Sequence, residues 1–441
     1  MFDVNIAVLL IASLLVFVAI GVHIAIALGV TSIIGIYMVT GNMVIVQKMV
    51  GSTSFEALRN YVFAVIPLFM LMGEFISKSG AITDIYRGLQ RGLRRLPGRL
   101  AFATVIGNAI FSFVTGVSIA SAAAFTRIAY PEMKRHGYNR GFALGSITGS
   151  SCLGMLIPPS VLMIVWGILT ERSIGKIFLA GVLPGIMLTT LFLLYIIFLS
   201  LLRPKMVGIG VENPVTIDED DTIGNVWISV IGILSVIFVV LGGIWMGWFS
   251  PTEGAGVGAA MGLMLAIVKG ITKREIIDTI LQVGKTSAPI LLLLLTASLY
   301  SRTLAMTGVT NEISDVFLAT GLGFAGILCL MILIWFILGM IIDSISIMLL
   351  TVTIFEPIAV SLGIEPLAFA IIGIIAIEAG LLTPPFGILV YTVKVAANDN
   401  KIKIGEIFYH SIPYWLIMLF AVFLLIKFPI IATYLPNLVF G

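Results

Sequence analysis

Apolar runs of about 20 residues, the length a helix needs to cross the hydrocarbon of a bilayer, recur from one end of the chain to the other. This excludes a soluble fold, and charge agrees. Only 11% of the 441 residues are charged, against about 25% in a soluble domain, so the chain lacks the polar surface to stand in water. The run that begins at Val4 follows Asp3 rather than a basic segment, so it reads as a first spanning helix and not as a cleaved leader. The longest polar stretch, 203–225, reads as a loop. Cys152 and Cys329 both lie inside apolar segments, which argues against a disulfide framework or a CxxC metal site. No basic patch with interleaved aromatics points to nucleic acid.

Basic residues collect on the cytoplasmic side of spanning helices. Arg87, Arg91, Arg94, Arg95 and Arg99 form one cluster, and Arg127, Lys134, Arg135 and Arg140 the next. A single straight helix between them would put one cluster outside. A re-entrant hairpin over about 100–126, tipped by Ser112, Thr115, Gly116 and Ser118, keeps both inside. Extended along the chain, this predicts an all-α integral membrane protein with about ten crossings. They are 5–27, 28–47, 61–79, 141–168 and 179–202, then 226–249, 253–270, 286–305, 367–393 and 411–434. A second hairpin, about 324–355, enters from the outside, its flanking loops 306–323 and 356–366 free of Lys and Arg. Lys48, Arg59, Arg172 and Lys176 fall outside, and both termini are periplasmic. Five crossings per half is an odd number, so a second half that repeats the first is inverted. The division is 1–205, a cytoplasmic linker at 206–224, and 225–441.

The repeat is legible by hand. A shift of 226 residues carries Ser118-Ile119 onto Ser344-Ile345, Pro131 onto Pro357, Gly137 onto Gly363, Gly154 onto Gly380, and Pro158-Pro159 onto Pro384-Pro385. The matches, which also carry Leu156 onto Leu382, fall mostly on Gly, Pro and Ser, residues with special backbone roles that chance Leu and Ile matching would not pick out. Inverted repeats with breaks at corresponding places point to a transporter's binding site.

The two motifs read TGSSCLGMLIPPS at 148–160 and EAGLLTPPFG at 378–387. Paired prolines remove two donors and clash with the preceding turn, so neither helix runs through unbroken. The glycine four residues before each pair, Gly154 or Gly380, is expected to ease the chain into unusual dihedrals. Freed carbonyls at membrane depth are tolerated only against protein or a water-filled cavity. Carbonyl oxygens suit a hard cation such as Na⁺, and half-helix N-termini suit a carboxylate. The hairpin tips place Gly116 and Ser118, and Gly339, Asp343 and Ser344, at the same depth. Asp343 and Glu378 are ionisable groups within the membrane and therefore functional candidates. Glu74 and Glu253 read as interfacial, His23, His136 and His410 as structural, other helical Ser, Thr and Gly as packing residues, and Phe and Trp near helix ends as interface anchors.

At these motifs the chain resembles the large membrane subunit (M or DctM type) of the tripartite ATP-independent periplasmic (TRAP) transporters. The resemblance runs through IPLFMLMG at 66–73, LPG at 96–98, PEM at 131–133, LGMLIPPS at 153–160, AGVLPG at 180–185, PTEGA at 251–255, DSIS at 343–346 and the 378–387 motif. It implies an elevator-type transporter of the ion transporter superfamily, driven by a Na⁺ gradient and importing carboxylates such as C4-dicarboxylates or sialic acids across a bacterial or archaeal inner membrane. It implies two partners: a small four-helix membrane subunit, not fused here because residue 1 already begins the pattern, and a periplasmic solute-binding protein. By resemblance one Na⁺ site uses Gly339, Gly380, Thr383 and Phe386. The other uses Gly116, Ser118, Gly154 and Ile157. Pro158, Pro159, Ser160, Asp343, Ser344, Glu378, Pro384, Pro385 and Gly387 form the breaks or lie near substrate. No organic cofactor is implied. Two departures stand out: the first tip reads TGVSIAS at 115–121, where the family has Ser-Gly-Ser followed by Ala-Thr, and Phe355-Glu356-Pro357 replaces a Pro-flanked connection. Rival readings are a stand-alone carboxylate carrier of the same superfamily, a channel, and a membrane-embedded enzyme. The last finds no HExxH or GxSxG motif and no catalytic His–Asp pair.

Overall fold

The computed structural model describes residues 4–208, 223–307 and 323–441. These are helical throughout, the single strand-like contact being a bridge between Tyr138 and Val207. Most of the expected linker at 206–224 and of the loop at 306–323 lies outside the described residues. Eight described helices are long and apolar enough to cross a membrane.

The first half runs α1 (Val4–Ala19), α2 (Ile24–Thr40), α3 (Met43–Arg59), α4 (Val65–Lys78) and α5 (Ala81–Gly92). It continues with α6 (Arg99–Thr115), α7 (Ser118–Arg135), α8 (Arg140–Ser151), the single turn α9 (Leu153–Leu156), α10 (Val161–Leu169) and α11 (Ile174–Leu202). The second half runs α12 (Ile223–Trp245), α13 (Pro251–Val268), α14 (Lys273–Thr307), α15 (Gly323–Gly339) and α16 (Ser344–Ser361). It ends with α17 (Pro366–Gly380), α18 (Ile388–Ala397), α19 (Ile404–Lys427) and α20 (Ile430–Phe440).

Several boundaries differ from the hydropathy reading because turn and cap chemistry overrides apolar continuity. The crossing expected at 28–47 stops at Thr40. Gly41 takes a left-handed φ of 62°, and Asn42 accepts the Val44 amide to start α3 as a separate helix. The crossing expected at 5–27 stops at Ala19, and His23 caps α2 through Nδ1. The one expected at 286–305 starts at Lys273, because Thr272 and Glu275 form a reciprocal cap upstream. The last crossing, 411–434, divides at Pro429 into α19 and α20. Both hairpins are present, with arms α6/α7 and α15/α16 longer than the 100–126 and 324–355 expected.

Two bodies organise the packing. In one, α2 lies on α14 and α4 on α13, while α1 packs on α2 and α12 on α13. In the other, the hairpins and broken helices pack together with α11 and α19. Small residues permit the close contacts that helices make without a hydrophobic drive from lipid. Gly141, Gly145 and Gly149 recur every fourth residue along α8. Added Cβ atoms there would lie within 2.4–2.6 Å of His410 and 2.1 Å of the Tyr414 ring on α19. Trp166, near the end of the expected 141–168 crossing and so a candidate interface anchor, is instead fully buried, and it meets the buried Trp335 edge to face, 6.0 Å apart, over Gly373.

The α8–α19 contact makes a prediction. Gly145→Ala places a Cβ 2.8 Å from the His410 carbonyl and should destabilise by about 1–3 kcal/mol, lowering the melting temperature of the detergent-solubilised protein by Trp fluorescence. Gly242→Ala, with nothing within 4 Å, should leave it unchanged or slightly raised. Equal melting of both variants would contradict the close approach.

Candidate functional site

Each hairpin tip touches the break of its own half. At the first tip Gly116 has a φ of 60°, and an added Cβ would lie 2.4 Å from the Pro159 carbonyl oxygen. Its own carbonyl accepts the amide of Val161, 3.1 Å away, just beyond the double proline. At the second tip the Met340 carbonyl accepts the amide of Phe386, 3.2 Å away, just beyond the second double proline. These are the same device used twice. A peptide freed by the broken helix finds its partner at a hairpin tip, so polar backbone at membrane depth stays satisfied.

Both breaks sit where expected, between α9 and α10 and between α17 and α18, and both Pro-Pro peptide bonds are cis. Gly154 and Gly380 play a different role from the one expected. Neither has a positive φ; they permit contact instead. A Cβ on Gly380 would lie 2.5 Å from the Phe336 carbonyl and 2.7 Å from the Gly339 Cα. One on Gly154 would lie 3.0 Å from the Ser118 backbone. Each glycine thus presses its broken helix against the hairpin of the same half.

The expected residues around the second break come together in part. Gly339 and Gly380 are in backbone contact. Thr383 is buried and its hydroxyl donates to the Gly380 carbonyl at 2.6 Å. Phe386 joins through its amide only: its ring is 55% exposed and lines a separate cavity beside Arg127 on α7. Pro384 and Pro385 are also exposed, and Gly387 opens α18 with a φ of 50°. The first break is closed. Ile157, Pro158, Pro159 and Ser160 are all buried, and the Ser160 hydroxyl donates to Met155 O at 2.5 Å while accepting the Met163 amide that starts α10. Ile157 takes an extended conformation with its side chain against Gly185. The two breaks, alike in sequence, therefore differ in exposure.

Glu378 lies where the halves meet. Its carboxyl accepts from Ser344 at 2.6 Å and faces Ser118, the residue that matches Ser344 under the repeat shift. Its main-chain carbonyl is 3.8 Å from Cys152 Sγ, and the two residues are 226 positions apart, matching each other under the same shift. Glu378 Oε2 and Ser118 Oγ are buried without a hydrogen-bond partner among the protein atoms, and Glu378 has no cation paired with it among the described residues.

Beside this centre is a cavity of about 360 Å³. Thr115 and Ser118 of the first tip and Asp343 and Ser344 of the second form one wall; Glu74 of α4 and Gln282 of α14 form the other. Asp343 caps α16, its carboxylate accepting the Ser346 amide at 3.0 Å. The N-terminus of α7 has no side-chain cap, so its unpaired amides and dipole favour an anion there. Glu74, expected at an interface, lines the cavity with the tips. Its place beside the tips comes from the packing of α4 on the first hairpin, where the neighbouring Gly73 lies against Val114 and Thr115, a tertiary contact that no local pattern announces. The signal available was its place in the IPLFMLMGE run, four residues from the basic end of α4. Gln282 and Thr286, dismissed as packing residues or unremarked, also line the cavity. Among the described residues no group of three or more His, Cys, Asp or Glu could hold a metal ion; the oxygen donors here are carbonyls, hydroxyls and isolated carboxylates, suited to hard cations.

Comparison with known proteins agrees with this architecture. The chain is 28% identical, over 87% of its length and 88% of the relative's, to the C4-dicarboxylate TRAP transporter large permease protein DctM of Pseudomonas aeruginosa. It is 26% identical to the ectoine TRAP transporter large permease protein TeaC of Halomonas elongata, over 85% of this chain and 86% of that one. Its fold is similar to the crystal structure of the YdaH transporter of Alcanivorax borkumensis, with a TM-score of 0.63 and 14% identity over 86% of this chain and 88% of that one. These relatives are transporters and not enzymes. Residues 11–431 match the family described as the tripartite ATP-independent periplasmic transporter, DctM component, and the chain belongs to that family of multi-pass membrane permeases.

Proposed function

We propose that this chain is the large permease of a Na⁺-coupled secondary importer of small carboxylates in a bacterial or archaeal inner membrane. On this reading it works with a small membrane subunit and a periplasmic solute-binding protein, and its two halves, 1–205 and 225–441, are inverted repeats. The observation that carries the proposal is the pair of tip-to-break contacts, Gly116 with Val161 and Met340 with Phe386, each within one or two residues of its place under the repeat shift. The reciprocal packing of α2 on α14 and α4 on α13 supports the same division.

Na⁺ enters here as a transported ion. Gly116, Ser118, Gly154 and Ile157 would supply oxygens for one ion, and Gly339, Gly380, Thr383 and Phe386 for the other, mostly from the main chain. An ion held between a tip and a break joins two segments that are otherwise linked by one amide and a glycine contact. The solute cavity is walled by both tips, so ordering them also shapes the cavity. That is coupling: each ligand favours the arrangement the other needs. Alternating access follows if the hairpins, broken helices, α11 and α19 move together against α2, α4, α13 and α14. The exposure of the second break beside Arg127, with the first break buried, supports an arrangement open on the side where the basic residues gather.

In proteoliposomes containing the complete complex, uptake should need the solute-binding protein and an inward Na⁺ gradient. Uptake without the binding protein would favour a stand-alone carrier; uptake indifferent to Na⁺ removes the coupling. Thr383→Ala should raise the Na⁺ concentration for half-maximal uptake by about 5-fold, the loss of one hydroxyl contact of about 1 kcal/mol. An unchanged Na⁺ dependence would exclude Thr383 from the site.

A second reading of the substrate is favoured by the cavity lining. Glu74 and Asp343 both face it, and no Lys, Arg or His is among its described lining residues. The open N-terminus of α7 suits a carboxylate and Glu74 suits a cationic group, a polarity that fits a zwitterion, as in the ectoine relative, better than a dianion. On this reading Glu74→Gln lowers inhibition by zwitterionic competitors at least tenfold more than inhibition by C4-dicarboxylates. Equal effects on both would return the assignment to simple carboxylates.

A further inference from the structure

Away from the cavity, two polar clusters join the halves crosswise. The loop that follows α10 carries Arg172, whose Nε donates to Glu356 Oε1 on α16 at 2.8 Å and whose terminal nitrogen reaches the same oxygen at 2.5 Å. The loop that follows α18 carries Asp399. Its Oδ2 accepts from Tyr130 on α7 at 2.8 Å and from Lys134 at 3.0 Å, and its Oδ1 accepts the Lys401 amide at 3.0 Å. Lys394 Nζ fastens the same loop by donating to the Asp399 and Ile402 carbonyls, both at 2.7 Å.

These clusters are counterparts. Glu356 and Tyr130 stand 226 positions apart, each next to the matched prolines Pro357 and Pro131. The anchoring loops also match, each containing a non-glycine residue at positive φ, Glu171 at 55° and Asn398 at 44°. Only the polarity is reversed: one loop offers a cation, the other an anion. Glu356 and Asp399 are 9% and 8% exposed, so these are not the freely solvated surface pairs that contribute little. Lys134, Tyr130 and the Lys401 amide hold the Asp399 carboxyl well below the usual carboxylate range.

The connectivity gives the pairs their meaning. Helix α10 leaves the first break, while α16 leaves the second hairpin tip. Helix α18 leaves the second break, while α7 leaves the first hairpin tip. Each clasp therefore ties the outgoing helix of one tip–break unit to the outgoing helix of the other, along interfaces where α10 packs on α16 and α7 on α18. A change in spacing at one unit is transmitted to the other through two stiff arms fixed at their far ends.

We propose that Arg172–Glu356 and Asp399 with Tyr130 and Lys134 are positioning residues that couple the two Na⁺ sites energetically, so that ion binding at one tip–break unit favours binding at the other. This rests on the Na⁺ assignment made above. Site-to-site coupling is typically worth about 5- to 150-fold in affinity, enough to give sigmoidal Na⁺ dependence.

The test is Na⁺-dependent uptake by the complete complex in proteoliposomes. The wild type should show a Hill coefficient above 1. Arg172→Ala and Asp399→Ala should each lower it toward 1 and raise the half-saturating Na⁺ concentration about 5-fold or more, while the solute KM at saturating Na⁺ stays within about 2-fold. The exchange Arg172→Glu with Glu356→Arg should restore the cooperativity that either single reversal abolishes, which a merely structural role would not require. Glu356→Gln, which keeps volume and loses charge, serves wherever an alanine variant does not elute as an intact complex. Wild-type Na⁺ cooperativity untouched by these variants overturns the coupling alone. A wild-type complex indifferent to Na⁺ overturns the ion assignment and the coupling with it.

Discussion

The structure depends on how backbone polar groups are satisfied where helices break inside the membrane. Lipid offers no hydrogen bonds, and an unpaired peptide there costs several kcal/mol. The double prolines force that situation twice, and the chain answers each time with a hairpin whose tip accepts an amide just beyond the prolines: Gly116 for Val161, the second residue past the pair, and Met340 for Phe386, the first. Hairpins and breaks are thus one device. Neither is tolerable at membrane depth without the other, and the place where they meet is where main-chain oxygens can gather around an ion.

That constraint also explains why glycine, rather than a bulkier apolar residue, stands at the contacts. Gly339 against Gly380 brings backbones to a separation that a side chain would not allow, and Gly154 against Ser118 leaves a Cβ only 3.0 Å from the facing backbone. Close approach serves packing and, on the proposed reading, ion binding as well, since it brings main-chain segments of hairpin and break together. Serine at the matched tip positions serves the same end. Ser344 hydrogen-bonds Glu378, and Ser118 faces it from the opposite half, so the one deeply buried carboxyl of α17 is shared between the repeats.

Much of this was legible in the residues. The 226-residue shift located both breaks and both tips, because Pro and Gly impose local geometry whatever surrounds them. Long helices such as α11 were found by their hydropathy, although α11 starts at Ile174 behind a Ser173 cap, five residues before the expected 179. Hydropathy failed at α2 and α3, where Gly41 and Asn42 turn the chain inside an apolar run, and at α14, which a cap at Thr272 extends. Hydrophobic averaging does not register turns and caps. That Glu74 lines the cavity was not legible for a related reason: it depends on what packs opposite α4.

The sequence by itself determined that the chain is helical and embedded in lipid, and where its helices must break, because these follow from composition and from the covalent limits of proline and glycine. Only the tertiary structure decided which residues share a cavity, that Glu74 faces Asp343 and the open end of α7, that Cys152 touches its own counterpart Glu378, and that Arg172 and Asp399 clasp opposite hairpins. Those facts join residues far apart in the chain. The contact of one helix face with another fixes them, and no local pattern of residues encodes it.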